Sequence, residues 1–342
     1  MGFIGVGAMG YSHLEIFHQQ CSKQAEAVAF CATNTERIQR AQKIAPEAVL
    51  HKNESSLIKS DLDAVIISSP NFTHVPLALE AIKAGKHVFL EKPVGITPAE
   101  CRTLLRASQK SDRILMIGHE LRYSAYFAKI KQLIEKGSVG VPQMAWCKEF
   151  RGPFQPKSRN WIQDRRKSGG CLVDKNCHHF DLMNWWLNSK PKRVSAFGSN
   201  VINRVIPGPN QVHDHATASW EYANGAKGTL HLSLFAHEPP KETLEMGVVG
   251  SQGVVQTDLD NLKLLLWEKG KRKGEPKVIS VKAKRGIGWG GHLGFAEMHP
   301  AFIKAVRTGL QPLTSVENTI DGTLLAIATE ESIRKKQIVT IK

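Results

Sequence analysis

The first third of the chain alternates short apolar runs with stretches of helical periodicity. Gly2–Val6, Ala25–Cys31, Ala64–Ser68, His87–Leu90 and Ile114–Ile117 are apolar and of strand length. Between them Tyr11–Gln20, Thr35–Ile44, Val75–Ala84 and Pro98–Ser111 carry a helical pattern. Strand and helix repeated with short connections predict a parallel sheet covered by helices on both faces. From about Arg122 the pattern changes. Tyr126–Lys136 reads as a helix, Gln143–Phe150 as an alternating strand, and a Pro/Arg/Lys-rich loop leads to a helix over Asp174–Leu187. Arg193–Gly198, Ala216–Tyr222, Gly228–Phe235, Glu242–Gly250, Gly253–Asp258 and Leu262–Trp267 follow as strands, with turn signals such as Asn224-Gly225 between them. Strands joined directly to strands predict a largely antiparallel sheet. Pro300–Thr308 and Val316–Lys335 read as closing helices.

With 342 residues the chain has room for two domains, and 42% hydrophobic and 23% charged residues exclude a disordered or fibrous chain. No run approaches the ~18 apolar residues of a membrane helix. No basic segment, apolar run and small-residue cleavage site open the chain, although it starts almost inside its first strand, which leaves a trimmed leader open. Cys21, Cys31, Cys101, Cys147, Cys171 and Cys177 form no CxxC pair and no zinc-ligand spacing, and read as small buried hydrophobes. No metal site is expected, and the chain is expected to be soluble and cytoplasmic. The 46 Lys and Arg against 31 Asp and Glu give a net charge of +15. No helix-turn-helix, zinc finger or RNA-binding motif travels with that charge, so neither nucleic acid nor membrane is an expected partner. The run Gly270-Lys271-Arg272-Lys273-Gly274 reads as a solvent-facing hairpin turn.

Between the first strand and its helix stands Gly5-Val6-Gly7-Ala8-Met9-Gly10, a GxGxxG. Its glycines serve a tight turn, close backbone approach to a pyrophosphate, and close packing of helix on strand, while the N–H groups of the helix start hold negative charge. Its place between strand and helix within a βαβ unit is the context that gives the motif meaning. An acidic residue for the ribose hydroxyls is expected about 20 positions on. The strand tip here reads Cys31-Ala32-Thr33-Asn34 without a carboxylate. Thr33, Asn34 and Arg37 can instead donate to a 2′-phosphate, which mildly favours NADP over NAD, unless Arg37 is simply a solvated helix residue.

Further motifs complete a pattern. Ser69-Pro70-Asn71-Phe72-Thr73-His74 follows the third strand, Ala84-Gly85-Lys86-His87-Val88-Phe89-Leu90-Glu91-Lys92-Pro93 the next helix, and Gly118-His119-Glu120-Leu121-Arg122-Tyr123 the last strand. Gly169–Asp181 and Gly309–Leu313 continue it. In this order the segments resemble the glucose–fructose oxidoreductase/inositol 2-dehydrogenase/MocA (Gfo/Idh/MocA) family over essentially the whole chain. Two departures stand out: Asn176 replaces a glycine common in the family's DxGxH segment, and the ribose acid is absent. The resemblance implies an α/β fold, with an N-terminal Rossmann doubly wound parallel sheet over 1–121 that binds NAD(P). It also implies a C-terminal α/β domain over 122–342, with an open, mainly antiparallel sheet that closes the active site and often forms a dimer interface, so a homodimer or homotetramer is expected.

The resemblance also implies roles. Lys92 sits near the nicotinamide and the substrate hydroxyl, where a fixed ammonium stabilises developing alkoxide; Pro93 after it is often cis. Asp174 and His178, at i and i+4 on one helical face, complete a catalytic trio with Lys92, Asp174 orienting the hydroxyl and His178 taking its proton. Gly5, Gly7, Ala8, Met9, Gly10, Thr33, Asn34, Arg37, Ser69, Pro70, Asn71, His74, Glu91 and Lys92 are candidate cofactor contacts. His119, Arg122, Tyr123, Arg151, Trp161, Arg165, His179 and Asp181 are candidate substrate contacts, with His179, on a different face, also readable as a structural histidine and Asp181 as a supporting residue. The loop Arg151–Lys167 holds Arg151, Lys157, Arg159, Trp161, Arg165 and Arg166, and reads either as a pocket for an anionic sugar or as a solvated mobile loop. The expected function is hydride transfer between NAD(P) and a CH–OH carbon of a sugar, inositol or sugar derivative. A glycosidase working by transient oxidation with a retained NAD, and a non-enzymatic nucleotide-sensing regulator, are the alternatives.

Overall fold

The computed structural model describes residues 1–154, 157–202, 208, 210–236, 243–283 and 293–341. The chain divides into two compact units, Met1–Ser124 with Lys284–Ile320, and Ala125–Ala283 with Asp321–Lys342. The expected continuous domain over 122–342 is thereby corrected: the stretch up to Ile320 packs with the N-terminal unit. The reason is a helix, described below, whose apolar face is buried in that unit's core.

In the first unit, β1 (Gly2–Ile4), α1 (Ala8–Cys21), β2 (Ala29–Cys31), α2 (Thr35–Ile44), β3 (Val49–His51), α3 (Glu54–Ile58), β4 (Ala64–Ile67), α4 (His74–Lys83), β5 (His87–Glu91), α5 (Pro98–Gln109) and β6 (Leu115–Gly118) alternate along the chain. Among the described residues the sheet has six strands in the order β3-β2-β1-β4-β5-β6, and every neighbouring pair is parallel. The order reverses between β1 and β4, the switch point outside whose strand ends an open α/β sheet offers its crevice. β4 and β6 are buried along their whole length, which is why they read as unbroken apolar runs. Helices start where capping chemistry permits. Asn34 accepts from the Arg37 N–H at the start of α2, and Thr97 with Glu100 forms a capping box that opens α5 behind Pro98.

The second unit begins with α6 (Ala125–Glu135) and β7 (Pro142–Phe150), then the short α7 (Arg165–Ser168). A π-helical turn over Leu172–Asn176 runs into α8 (Cys177–Leu187). Strands β8 (Pro191–Ser199), β9 (His215–Tyr222), β10 (Lys227–Ser233), β11 (Thr243–Gly250), β12 (Gly253–Asp258), β13 (Lys263–Glu268) and β14 (Lys277–Ser280) follow. Glu242, the expected start of one strand, lies outside the described residues. After α9 (Met298–Thr308) and α10 (Val316–Lys335), β15 (Val339–Thr340) completes the unit's sheet, whose order among the described residues is β14-β13-β12-β11-β7-β10-β9-β8-β15. β7 and β10 are parallel and the other pairs antiparallel. β7 turns Ala145, Cys147 and Glu149 inward, and α8, buried almost all round, packs against it. The Gly270–Gly274 run is the exposed turn between β13 and β14.

Candidate active site

The glycines of the first turn are forced by space. Gly5 has φ +84°, and a Cβ there would press on the Ser69 backbone. A Cβ on Gly10 would collide with the Gly5 carbonyl oxygen. Gly7, by contrast, has an open side, with the Arg37 guanidinium Nη1 at 3.5 Å from the place a Cβ would take. α1 begins there without a side-chain cap and without an acidic residue in its first turn. Such a start leaves backbone N–H groups and the positive end of the helix dipole to a ligand anion, which fits a dinucleotide pyrophosphate. Ala8 and Met9 are half-buried on this turn, and Thr33 and Asn34 are exposed beyond β2. Asn34 spends its side-chain oxygen on the α2 cap.

The loops behind β4 and β5 are tied to each other. His74 is buried, with Nε2 3.0 Å from the Ser69 carbonyl and Nδ1 3.0 Å from the Pro93 carbonyl. Burial, ahead of the neighbouring groups, lowers its pKa, against the two carbonyl contacts, which raise it. Asn71 and Glu91 are buried as well, whereas Lys92, preceding a cis bond to Pro93, is half-buried. The Glu91 carboxylate accepts from His13 Nε2 at 2.8 Å, and His13 Nδ1 faces His299 Nε2 at 2.9 Å. Of the expected cofactor contacts, Asn71, His74 and Glu91 thus lie beneath the surface. His119 and Arg122 are buried in the same unit; Arg122 Nη2 donates to the Asn318 carbonyl at 2.8 Å, and the Tyr123 hydroxyl lies 3.2 Å from Thr314 Oγ1.

The second unit carries Asp174 and His178. Where the sequence predicts one helix over Asp174–Leu187, the structure has a π-helical turn holding Asp174, followed by α8 holding His178. Its entry is unusual: Gly169 and Gly170 both have positive φ, and a Cβ on Gly170 would strike the Glu330 carboxylate. Glu330, buried on α10, accepts from the Leu172 N–H at 2.9 Å and faces His213 Nδ1 at 3.0 Å. Burial opposes charge on His213, but Glu330 outweighs it and raises the imidazole pKa. Asp174 and His178 are 8% and 7% exposed, and the His178 and His179 rings meet edge to face at 4.5 Å. Asp181 is buried against Gly322.

Glu149 is a residue that sequence reasoning passed over. Its Oε2 accepts from Asn176 Nδ2 at 2.8 Å and lies 3.6 Å from His179 Nδ1, while Oε1 accepts from Arg151 Nη1 at 3.2 Å. Burial works against its charge, yet His179, Arg151, Lys175 and His178 outweigh that and hold its carboxyl at about 2. The signal was there: a Glu on the inward phase of an alternating strand. In the loop Arg151–Lys167, Gln155, Pro156 and the Arg159 side chain lie outside the described set. Arg166 grips Asp164 bidentately at 3.0 and 2.8 Å, and Trp161 and Arg165 are half-buried. Among the described residues no His/Cys/Asp/Glu cluster has the make-up of a metal site, and no helix is long and apolar enough to cross a membrane.

Residues 1–119 match the model of an oxidoreductase family with an NAD-binding Rossmann fold, and residues 127–256 match that of the GFO/IDH/MocA C-terminal domain. Myo-inositol 2-dehydrogenase of Thermotoga maritima is 27% identical over 100% of this chain and 98% of that protein. Inositol 2-dehydrogenase of Salmonella typhimurium is 31% identical over 57% of this chain and 56% of its own length. Among solved structures, an oxidoreductase domain protein from Kribbella flavida covers 100% of this chain and 98% of its own at TM-score 0.86 and 21% identity. Levoglucosan dehydrogenase in complex with NADH has the same coverage, 100% and 98%, at TM-score 0.85 and 23% identity. With both of its characteristic domains matched in order, the chain belongs to the Gfo/Idh/MocA family of NAD-binding oxidoreductases.

Proposed function

We propose that the protein is a dehydrogenase that transfers hydride between NAD(P) and a CH–OH carbon of a neutral sugar or polyol. The observation that carries this reading is Asp174, buried at a π-helical turn, with His178, buried on the helix that follows, in a chain that also presents an uncapped glycine cradle. Bound at that cradle, the nicotinamide cofactor supplies the hydride acceptor. The work of this chain is to handle the hydroxyl proton. Asp174 orients the hydroxyl, His178 accepts its proton, and the Lys92 ammonium stabilises negative charge developing on oxygen. His74 acts from beneath, by holding the loops on which Ser69 and Lys92 ride. The names of the Thermotoga and Salmonella relatives favour an inositol or similar polyol. A neutral substrate is favoured because Arg151 is already paired with Glu149, and Arg166 with Asp164. The carboxylate-free tip of β2 with Arg37 beside Gly7 supports NADP over NAD. We place this activity in the cytoplasm, where the buried free cysteines stay reduced, and in a homo-oligomer built on the open sheet face that exposes Phe197 and Met144.

The test is a panel of inositols, neutral sugars and uronates with NAD and with NADP, followed by the absorbance of the reduced cofactor. Turnover is expected on a neutral polyol. His178→Ala and Lys92→Ala should each lower kcat at least 100-fold, the scale of a lost general base or charge stabiliser, with cofactor affinity nearly unchanged. Full turnover in either variant overturns the assignment of that residue.

A further inference from the structure

A base that works inside a protein faces a difficulty of charge. When the hydroxyl O–H bond breaks and an N–H bond forms on His178, a neutral imidazole becomes a cation at a position only 7% exposed. Burial disfavours that cation unless a fixed anion stands close by. The surroundings of His178 in the second unit can be read element by element. From β7 comes the Glu149 carboxylate, and just beyond the strand Arg151, which donates to it. The π-helical turn brings Asp174, Lys175 and Asn176. α8 itself brings His179, edge to face with His178, and Asp181, which packs on Gly322 of α10 beside Asp321. α6 meets α8 through Phe127 against Trp186, an apolar contact. The strand neighbours of Glu149, Leu232 on β10 and Leu244 on β11, are apolar too.

The Glu149 carboxylate is thus the shared anion of two cations, Arg151 and Lys175, and of the two imidazoles. Asn176 ties this carboxylate to the helix. Its Nδ2 donates to Glu149 Oε2 at 2.8 Å and lies 3.1 Å from His179 Nδ1. An amide that donates to Nδ1 leaves the neutral His179 with its proton on Nε2. We propose that Glu149 is the positioning residue of this site: through Asn176 and His179 it orients the imidazole of His178 and supplies the counter-charge that sets its proton affinity. The proposal rests on the reading of His178 as the base, and its direct test is made so that the two can fail separately. The low pKa of Glu149 is consistent with a carboxylate that stays charged throughout.

The sign follows from electrostatics. Removing the carboxylate's charge takes away an anion that acts on His178, so its protonated form is disfavoured and its titration midpoint falls. The experiment labels histidine Cε1 with ¹³C and follows the imidazole resonances against pH, with the His178 signal assigned by its loss in His178→Gln. Glu149→Gln is expected to lower the His178 midpoint by about one pH unit, the low end of what an opposite charge at this range produces. Glu149→Asp, which keeps the charge, should recover most of that shift, and Asn176→Ala should lower the midpoint by a smaller amount. In turnover, the acid limb of the kcat/KM profile of Glu149→Gln should move to lower pH by the same amount, a change that a merely structural role would not produce. An unmoved His178 midpoint in Glu149→Gln overturns the proposal. If that variant does not fold, an unmoved midpoint in Asn176→Ala does the same. Undiminished turnover in His178→Gln overturns the reading of His178 as base, while the midpoint shift still decides the role of Glu149.

Discussion

His299 sits where an imidazole is least able to carry charge. It is buried with its ring stacked at 5.9 Å on Phe89, and burial first, then His13, holds its pKa down to about 3. In the unfolded chain the same group titrates near ~6.5. Between those values the unfolded state binds more protons, so stability falls as pH drops through this window, at up to about 1.4 kcal/mol per pH unit from this group. Glu149, held at about 2, adds a loss of the same sign once the pH falls through the ordinary carboxylate range. The urea midpoint should therefore fall between pH 7 and pH 5. His299→Phe, which keeps a ring but cannot titrate, should start lower at pH 7 and fall less steeply. Parallel slopes would place the acid sensitivity elsewhere. Residues of this kind are hard to read in advance. Gly5 and Gly10 announce themselves because a backbone demand repeats at a set spacing, whereas His13 and His299 find each other across 286 positions.

At the scale of elements, legibility followed length and pattern. Thr35–Ile44 and Val316–Lys335 emerge with the bounds their periodicity predicts, because ten or more residues of regular patterning average out local exceptions. β3 and α3 were missed: three and five residues are too few for a period, and Val49 and Leu50 on the edge strand are exposed. The π-helical turn before α8 was missed for another reason. Its cause is partly distant, since Gly170 yields space to the Glu330 carboxylate and the Leu172 N–H bonds to it. Glu330→Ala would leave a buried N–H without its acceptor and His213 without its anion. A cost of about 2–4 kcal/mol is expected, against about 1–2 for Glu330→Gln, which keeps an acceptor. Chemical denaturation measures both, and a Glu330→Ala cost under about 1 kcal/mol would show that the turn holds its shape unaided.

For the whole molecule, the net charge of +15 carried little of the functional argument. Two arginines of the second unit are already matched, Arg151 by Glu149 and Arg166 by Asp164. Chain order proved the less obvious matter. The glycine turn and alternating strands point to a nucleotide domain that ends near residue 121, because periodicity reports elements and not which element packs on which. α9 places Met298, Phe302, Ile303 and Ala305 in the same core as Phe3, Phe17, Phe30 and Phe89, with Phe295 just before it. Burying each of Phe295, Met298, Phe302 and Ile303 is worth about 1.5–3 kcal/mol, so about 6–12 kcal/mol in all. That matches the entire ~5–15 kcal/mol stability of an ordinary domain. A fragment of residues 1–124 would also lose His299, the hydrogen-bond partner of His13. Such a fragment should be compact but loosely packed, with bound hydrophobic dye and poorly dispersed amide resonances. Fused through a flexible linker to residues 293–320, it should give a dispersed spectrum and bind NAD(H). A well-dispersed spectrum from residues 1–124 alone would mean that α9 adds to a core already complete without it.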